Sequence, residues 1–107
     1  MLEKLSAIED KYYLLEEQLS DPALVSDIAR MQKINKEYKS LGEIITEFRA
    51  YKNILAGIEM AQEMIRDEDP EMQEMGKSEL DGLQAQLAEK EDQLKFMLIP
   101  QDPEDSK

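Results

Sequence analysis

Four prolines fall at only three places in this 107-residue chain: Pro22, Pro70 and the pair Pro100 and Pro103. Proline lacks an amide hydrogen, clashes with the preceding helical turn and pushes the residue before it out of the α region, so it starts a helix or follows one. Asp21 and Asp69 stand directly before Pro22 and Pro70. That order, a carboxylate N-cap and then a pre-set first helical residue, reads as two helix starts. After Pro100 there is no apolar periodicity, so Pro100-Gln101-Asp102-Pro103 reads as an extended exit segment and the helical part is expected to end near Ile99.

Between the breaks, apolar side chains recur at helical spacing. Leu5, Ile8, Tyr12, Leu15 and Leu19 step by three and four residues, which places them on one stripe. Met31, Ile34, Tyr38, Leu41, Ile45 and Phe48 keep the same rhythm, and Tyr51, Leu55, Ile58 and Ile65 continue it after a small phase shift. The third segment carries Met72, Met75, Leu80, Leu83, Leu87, Leu94 and Met97, with Lys90 at a stripe position where its stem can snorkel or its charge weaken packing. Ser40-Leu41-Gly42-Glu43 has the form of a capping box, which would start a helix there. The stripe crosses Gly42 in register, however, and one glycine costs a helix only about 1 kcal/mol. One long middle helix, with a kink near Gly42 left open, is the favoured reading.

These segments predict an all-α fold of three main helices over about 2–20, 27–66 and 70–99. The short first and third helices would fold back on successive halves of the long middle one, giving an elongated antiparallel helical bundle or coiled-coil hairpin. Residues 1–99 then form one helical domain and 100–107 a linker. The apolar stripe is thin for a chain this size, so marginal stability or self-association is expected.

Composition narrows the chemistry. The chain has 36% charged residues and 41% hydrophobic ones, in keeping with an amphipathic helical protein rather than a disordered tail. No apolar run approaches the roughly 20 residues a membrane span needs, and Met1-Leu2-Glu3-Lys4-Leu5 lacks a signal peptide's layout, so a cytoplasmic protein is expected. Histidine and cysteine are both absent, which removes the commonest general base, the usual nucleophile pairs and most transition-metal ligands. No enzymatic activity and no cofactor are expected. The cluster Asp67-Glu68-Asp69 with Glu71 lacks the spacing that wraps calcium and reads as a solvated turn with a helix cap. Met60, Met64, Met72 and Met75 flank that turn, and core filling is the favoured reading over an adaptable partner surface.

A net charge of −12 opposes extensive independent nucleic-acid binding, which depends on Lys and Arg contacts to phosphates. The local exception runs from Ile28 to Lys39, where Arg30, Lys33, Lys36 and Lys39 outnumber Glu37. Their steps of three make them drift around a helix rather than line one side, so a solvated face is the default reading and a partner contact the sharper one.

Three punctuated segments, Leu19-Ser20-Asp21-Pro22, Asp67-Glu68-Asp69-Pro70-Glu71-Met72 and Leu98-Ile99-Pro100-Gln101-Asp102-Pro103, together resemble the N-terminal helical domain of the bacterial peptide chain release factor 1 family. The likeness extends from Met1 to Lys107 and includes the opening Met1-Leu2-Glu3-Lys4-Leu5 and the tract Asn35-Lys36-Glu37-Tyr38. Gly42-Glu43 and Gln101 depart from it, where members often carry Glu-Pro and a lysine. The resemblance implies a ribosome-binding domain in translation termination, facing the GTPase-associated region with its stalk-base protein and rRNA, and neighbouring the GTPase release factor. It also implies that the tripeptide reading the stop codon and the Gly-Gly-Gln loop promoting peptidyl-tRNA hydrolysis lie in later domains, without counterparts in these residues. The other class of reading is a free-standing coiled-coil interaction or chaperone-like module.

Overall fold

The computed structural model describes residues 1–99; the expected linker over 100–107 lies outside the described residues. Helix α1 (Leu2–Leu19) is followed by a 3₁₀ helix (Pro22–Ser26), then α2 (Ile28–Ile65) and α3 (Pro70–Leu98). The all-α expectation holds, with no strand among the described residues.

The proline breaks act as their chemistry dictates. Asp21 Oδ1 accepts from the Ala23 amide at 3.0 Å, and Asp69 Oδ1 accepts from the Glu71 amide at 3.0 Å, so each carboxylate satisfies a helix-start donor that has no partner within its helix. The first break is more elaborate than expected: Pro22 opens the 3₁₀ helix, and α2 starts only after Asp27, whose Oδ1 accepts from the Arg30 amide at 3.2 Å. At the second break Asp67 Oδ1 accepts from the Asp69 amide at 2.9 Å, and Gln73 Nε2 donates to the Asp67 carbonyl at 2.7 Å. Two carboxylates of the acidic cluster are therefore bound to the turn's own backbone.

Helix α2 is continuous across Gly42, and Ser40 to Glu43 all lie inside it, so the capping box is not used. It comprises 38 residues. The chain divides into two compact units, the first Met1–Thr46 and the second from Glu47 onward.

In the first unit, α1 doubles back on the first half of α2. Tyr12 faces Gly42, and Glu16 takes a hydrogen bond from Tyr38 at 2.9 Å, so positions rise along α1 as they fall along α2. Leu5, Leu15, Leu24, Ile34, Leu41, Ile44 and Ile45 are buried. The Tyr12 and Tyr38 rings stack with centroids 4.5 Å apart and planes 8° from parallel, and Lys11 Nζ meets Glu37 Oε1 at 2.6 Å beside them.

In the second unit, α3 runs antiparallel to the second half of α2. Gly76 lies against Ala61, Met64 and Ile65, Leu83 against Gly57, and Glu91 against Tyr51. Phe48, Tyr51, Ile54, Ala61, Leu94 and Leu98 are buried. Gly76 is the closest approach: a Cβ placed on it would stand 2.8 Å from the Ala61 carbonyl oxygen and from Met64 Cβ, and 2.9 Å from the Ile65 nitrogen. Only a residue without a side chain lets the two backbones meet there.

Candidate interaction surfaces

The four cations singled out in the sequence lie on the first half of α2, all exposed. Each step of three turns the helix back by about 60°, so Arg30 and Lys39 end up about 180° apart. They therefore spread over the outward half of the helix, as their spacing predicts, rather than forming a single patch. Among the described residues none of their side chains holds an ion pair or hydrogen bond, in contrast to Lys11, Lys77 and Lys90, which meet carboxylates. Four uncompensated cations within ten residues make this the one strongly electropositive stretch of a chain at −12. Arg30 also borders an open cleft of about 320 Å³ at the first break, shared with Gln18, Asp21, Leu24, Asp27 and Ile34. Asp21 and Asp27 both cap helices there, so the cleft is polar but its carboxylates are engaged.

A second surface lies in the second unit. Gly57, Met60, Ala61 and Met64 of α2 and Glu79 and Leu83 of α3 line an open cleft of about 280 Å³. The small residues Gly57 and Ala61, one turn apart on α2, form its floor, and Leu83 Cδ1 sits 3.2 Å from where a Gly57 Cβ would be. Met60 is 67% exposed and Met75 56% exposed, while Met64 and Met72 are half-buried. Core filling therefore describes Met64 and Met72 but not the other two, which point to solvent. The sequence signal for the floor was present as Gly57-x-x-x-Ala61. A glycine and an alanine carry little weight in a reading built on large apolar side chains.

At its stripe position the charge of Lys90 is met by polar partners. Its Nζ lies 2.6 Å from Glu47 Oε2 and 3.3 Å from Gln93 Oε1. Two tyrosines are tied to carboxylates. Tyr38's hydroxyl pKa is pushed well above its ordinary value by its hydrogen bond with Tyr12 and then by the one it donates to Glu16. Tyr51's is raised by burial and then by the Glu91 charge, to which its hydroxyl donates at 3.4 Å. Lys52 Nζ lies 4.4 Å over the Phe48 ring. Neither tyrosine is poised for proton transfer near neutral pH. Among the described residues no His, Cys, Asp and Glu grouping could hold a metal ion, and no helix is long and apolar enough to cross a membrane.

Comparison with known sequences assigns the chain, as distinct from either surface, to a family. The PCRF domain profile matches residues 8–107. Peptide chain release factor 1 of Streptococcus pyogenes serotype M5 (strain Manfredo) is 43% identical over 107 residues, covering 98% of this chain and 30% of the relative. The proteins of that name from serotype M49 (strain NZ131) and serotype M3 (strain MGAS315) match to the same extent. The chain thus spans less than a third of the length of these curated relatives. No solved structure matches.

Proposed function

Because this chain belongs to the PCRF domain family, we propose that it is the helical docking domain of a peptide chain release factor 1, seating the factor on the ribosome during translation termination. The observation that carries the reading is the profile match across residues 8–107, backed by 43% identity along nearly the whole chain. In this reading the domain reads no codon and hydrolyses no ester. Those steps belong to the remaining two thirds of a factor of the relatives' length, and the absence of histidine and cysteine here suits a purely positional role.

The contact is made in the cytoplasm with the GTPase-associated region of the ribosome, its stalk-base protein and rRNA, next to the GTPase release factor. The Arg30, Lys33, Lys36 and Lys39 stretch supplies the phosphate-facing part, since it holds four cations with no internal partner. The acidic remainder of the surface keeps the domain from spreading over rRNA indiscriminately.

The test is competition on purified ribosomes. The 107-residue chain is expected to displace labelled intact release factor 1 without releasing peptide. Charge reversal of Arg30, Lys33 and Lys36 to Glu in the intact factor should lower its ribosome affinity and flatten its salt dependence. Unchanged affinity would remove the basic stretch from the contact, and failure of the wild-type chain to compete would remove the docking role itself.

A further inference from the structure

The cleft between α2 and α3 in the second unit is not accounted for by an electropositive docking face. Its opening is apolar, with Met60, Met64 and Leu83 around a floor of Gly57 and Ala61. Met75 stands one helical turn before Glu79 and two before Leu83 on the same row of α3, so it extends the apolar margin. Met60 and Met75 together expose two unbranched, polarisable side chains that can repack around an incoming group.

The surroundings of this margin are strongly acidic. Glu79 lines the cleft, Glu59 and Glu63 share its turns of α2, and the adjoining turn carries Asp67, Glu68 and Asp69. Between residues 59 and 79 the only cations are Arg66 and Lys77, and Lys77 already lies 3.7 Å from Glu74. A negative rim around an adaptable apolar slot repels nucleic acid, lipid headgroup phosphate and a second copy of this acidic chain alike. It complements a cationic helix that carries one large apolar anchor, for which an open cleft of about 280 Å³ has room.

We propose that the Met60–Met64–Leu83 cleft is a docking site for a basic amphipathic helix of a protein partner, which inserts an apolar anchor between α2 and α3 while its Lys and Arg residues meet the acidic rim. The inference does not rest on the termination reading, because the cleft and rim have the same chemistry in any complex. It concerns a different unit of the chain from the Arg30 to Lys39 stretch.

The seven methionines give a direct readout. The 107-residue chain, labelled with ¹³C on its methionine methyl groups, is titrated with a synthetic helical peptide of about 18 residues, five turns, carrying a leucine stripe and a lysine face. Methyl signals of Met60 and Met64 are expected to shift while those of Met1 and Met31 stay in place. Met60→Ser, a change at an exposed position that leaves the fold intact, should weaken binding about tenfold. A peptide with the leucines replaced by serine, or the lysines by glutamate, should fail to shift the pair. Equal shifts at all seven methyls, or equal binding of the serine peptide, would reduce the contact to general charge attraction and overturn the proposal. Concentration-dependent shifts of Met60 and Met64 without peptide would overturn it in favour of a second copy.

Discussion

Lys90 Nζ of α3 lies 2.6 Å from Glu47 Oε2 of α2, with both side chains about a quarter exposed, 23% and 24%. The pair sits too deep for full hydration and too shallow for the large desolvation cost of a dry interior. Removing one member strands the other. Lys90→Met is expected to cost about 1–2 kcal/mol, and a double-mutant cycle with Glu47→Gln to return a coupling of about 1 kcal/mol. Chemical denaturation of the four proteins measures it; additive effects would mean that the contact contributes nothing to stability.

Two glycines of α3 should respond in opposite directions to the same substitution. At Gly76 an added Cβ meets backbone atoms of α2 that no rotamer change can move, so Gly76→Ala should destabilise by about 1–3 kcal/mol. At Gly82 nothing lies within 4 Å of the added Cβ, and Gly82→Ala should stabilise by about 0.5–1 kcal/mol through helix propensity. Thermal unfolding followed by circular dichroism separates the two, and a Gly76→Ala protein at least as stable as the wild type would contradict the close approach.

Replacing Asp69 with alanine removes the side-chain acceptor for the Glu71 amide and should cost about 1 kcal/mol. Asn at this position keeps a side-chain oxygen and should recover most of the loss. Equal stability of the alanine and asparagine variants would assign the start of α3 to Pro70 alone.

Alkaline titration followed by tyrosinate absorbance should show late-ionising tyrosines. Both Tyr38 and Tyr51 have hydroxyls whose native pKa is raised, the first by hydrogen bonding with Tyr12 and Glu16, the second by burial beside Glu91. Because the native state holds these protons more tightly than the unfolded chain, their contribution to stability is present in full below about pH 10 and is lost as pH climbs through the native values. Tyr38→Phe and Tyr51→Phe should each subtract amplitude from the alkaline end of the curve. Loss from the early part instead would place those hydroxyls in free solvent.

Local chemistry was legible in the sequence, and distant pairing was not. Asp21-Pro22 and Asp69-Pro70 announced their caps because a helix start is decided by neighbours within three residues. The stripe through Leu5, Leu15, Ile34, Leu41, Ile45 and Phe48 announced its burial because period alone sets it. Lys90 could not be placed from its own segment, since its partner Glu47 is 43 residues away. Met75 falls on the apolar stripe, yet the adjacent Gly76 takes the buried place, because backbone proximity selects for the absence of a side chain and hydrophobic patterning cannot register an absence. The four cations drift around α2 as their spacing of three requires, while the methionine cleft emerged only when Gly57 and Ala61 were set opposite Leu83.

The sharing of α2 between two units has a consequence for biosynthesis. Pairings in the first unit, such as Glu16 with Tyr38, span 22 residues and are complete once Thr46 has been made. Those in the second begin only when Gly76 can meet Ala61 and Met64, and reach back to Glu47 only once Lys90 has been made. As the chain emerges from its own ribosome, the first hairpin can therefore form and hold the leading half of α2 helical, offering the trailing half a preformed end to propagate from while its partner is still being synthesised.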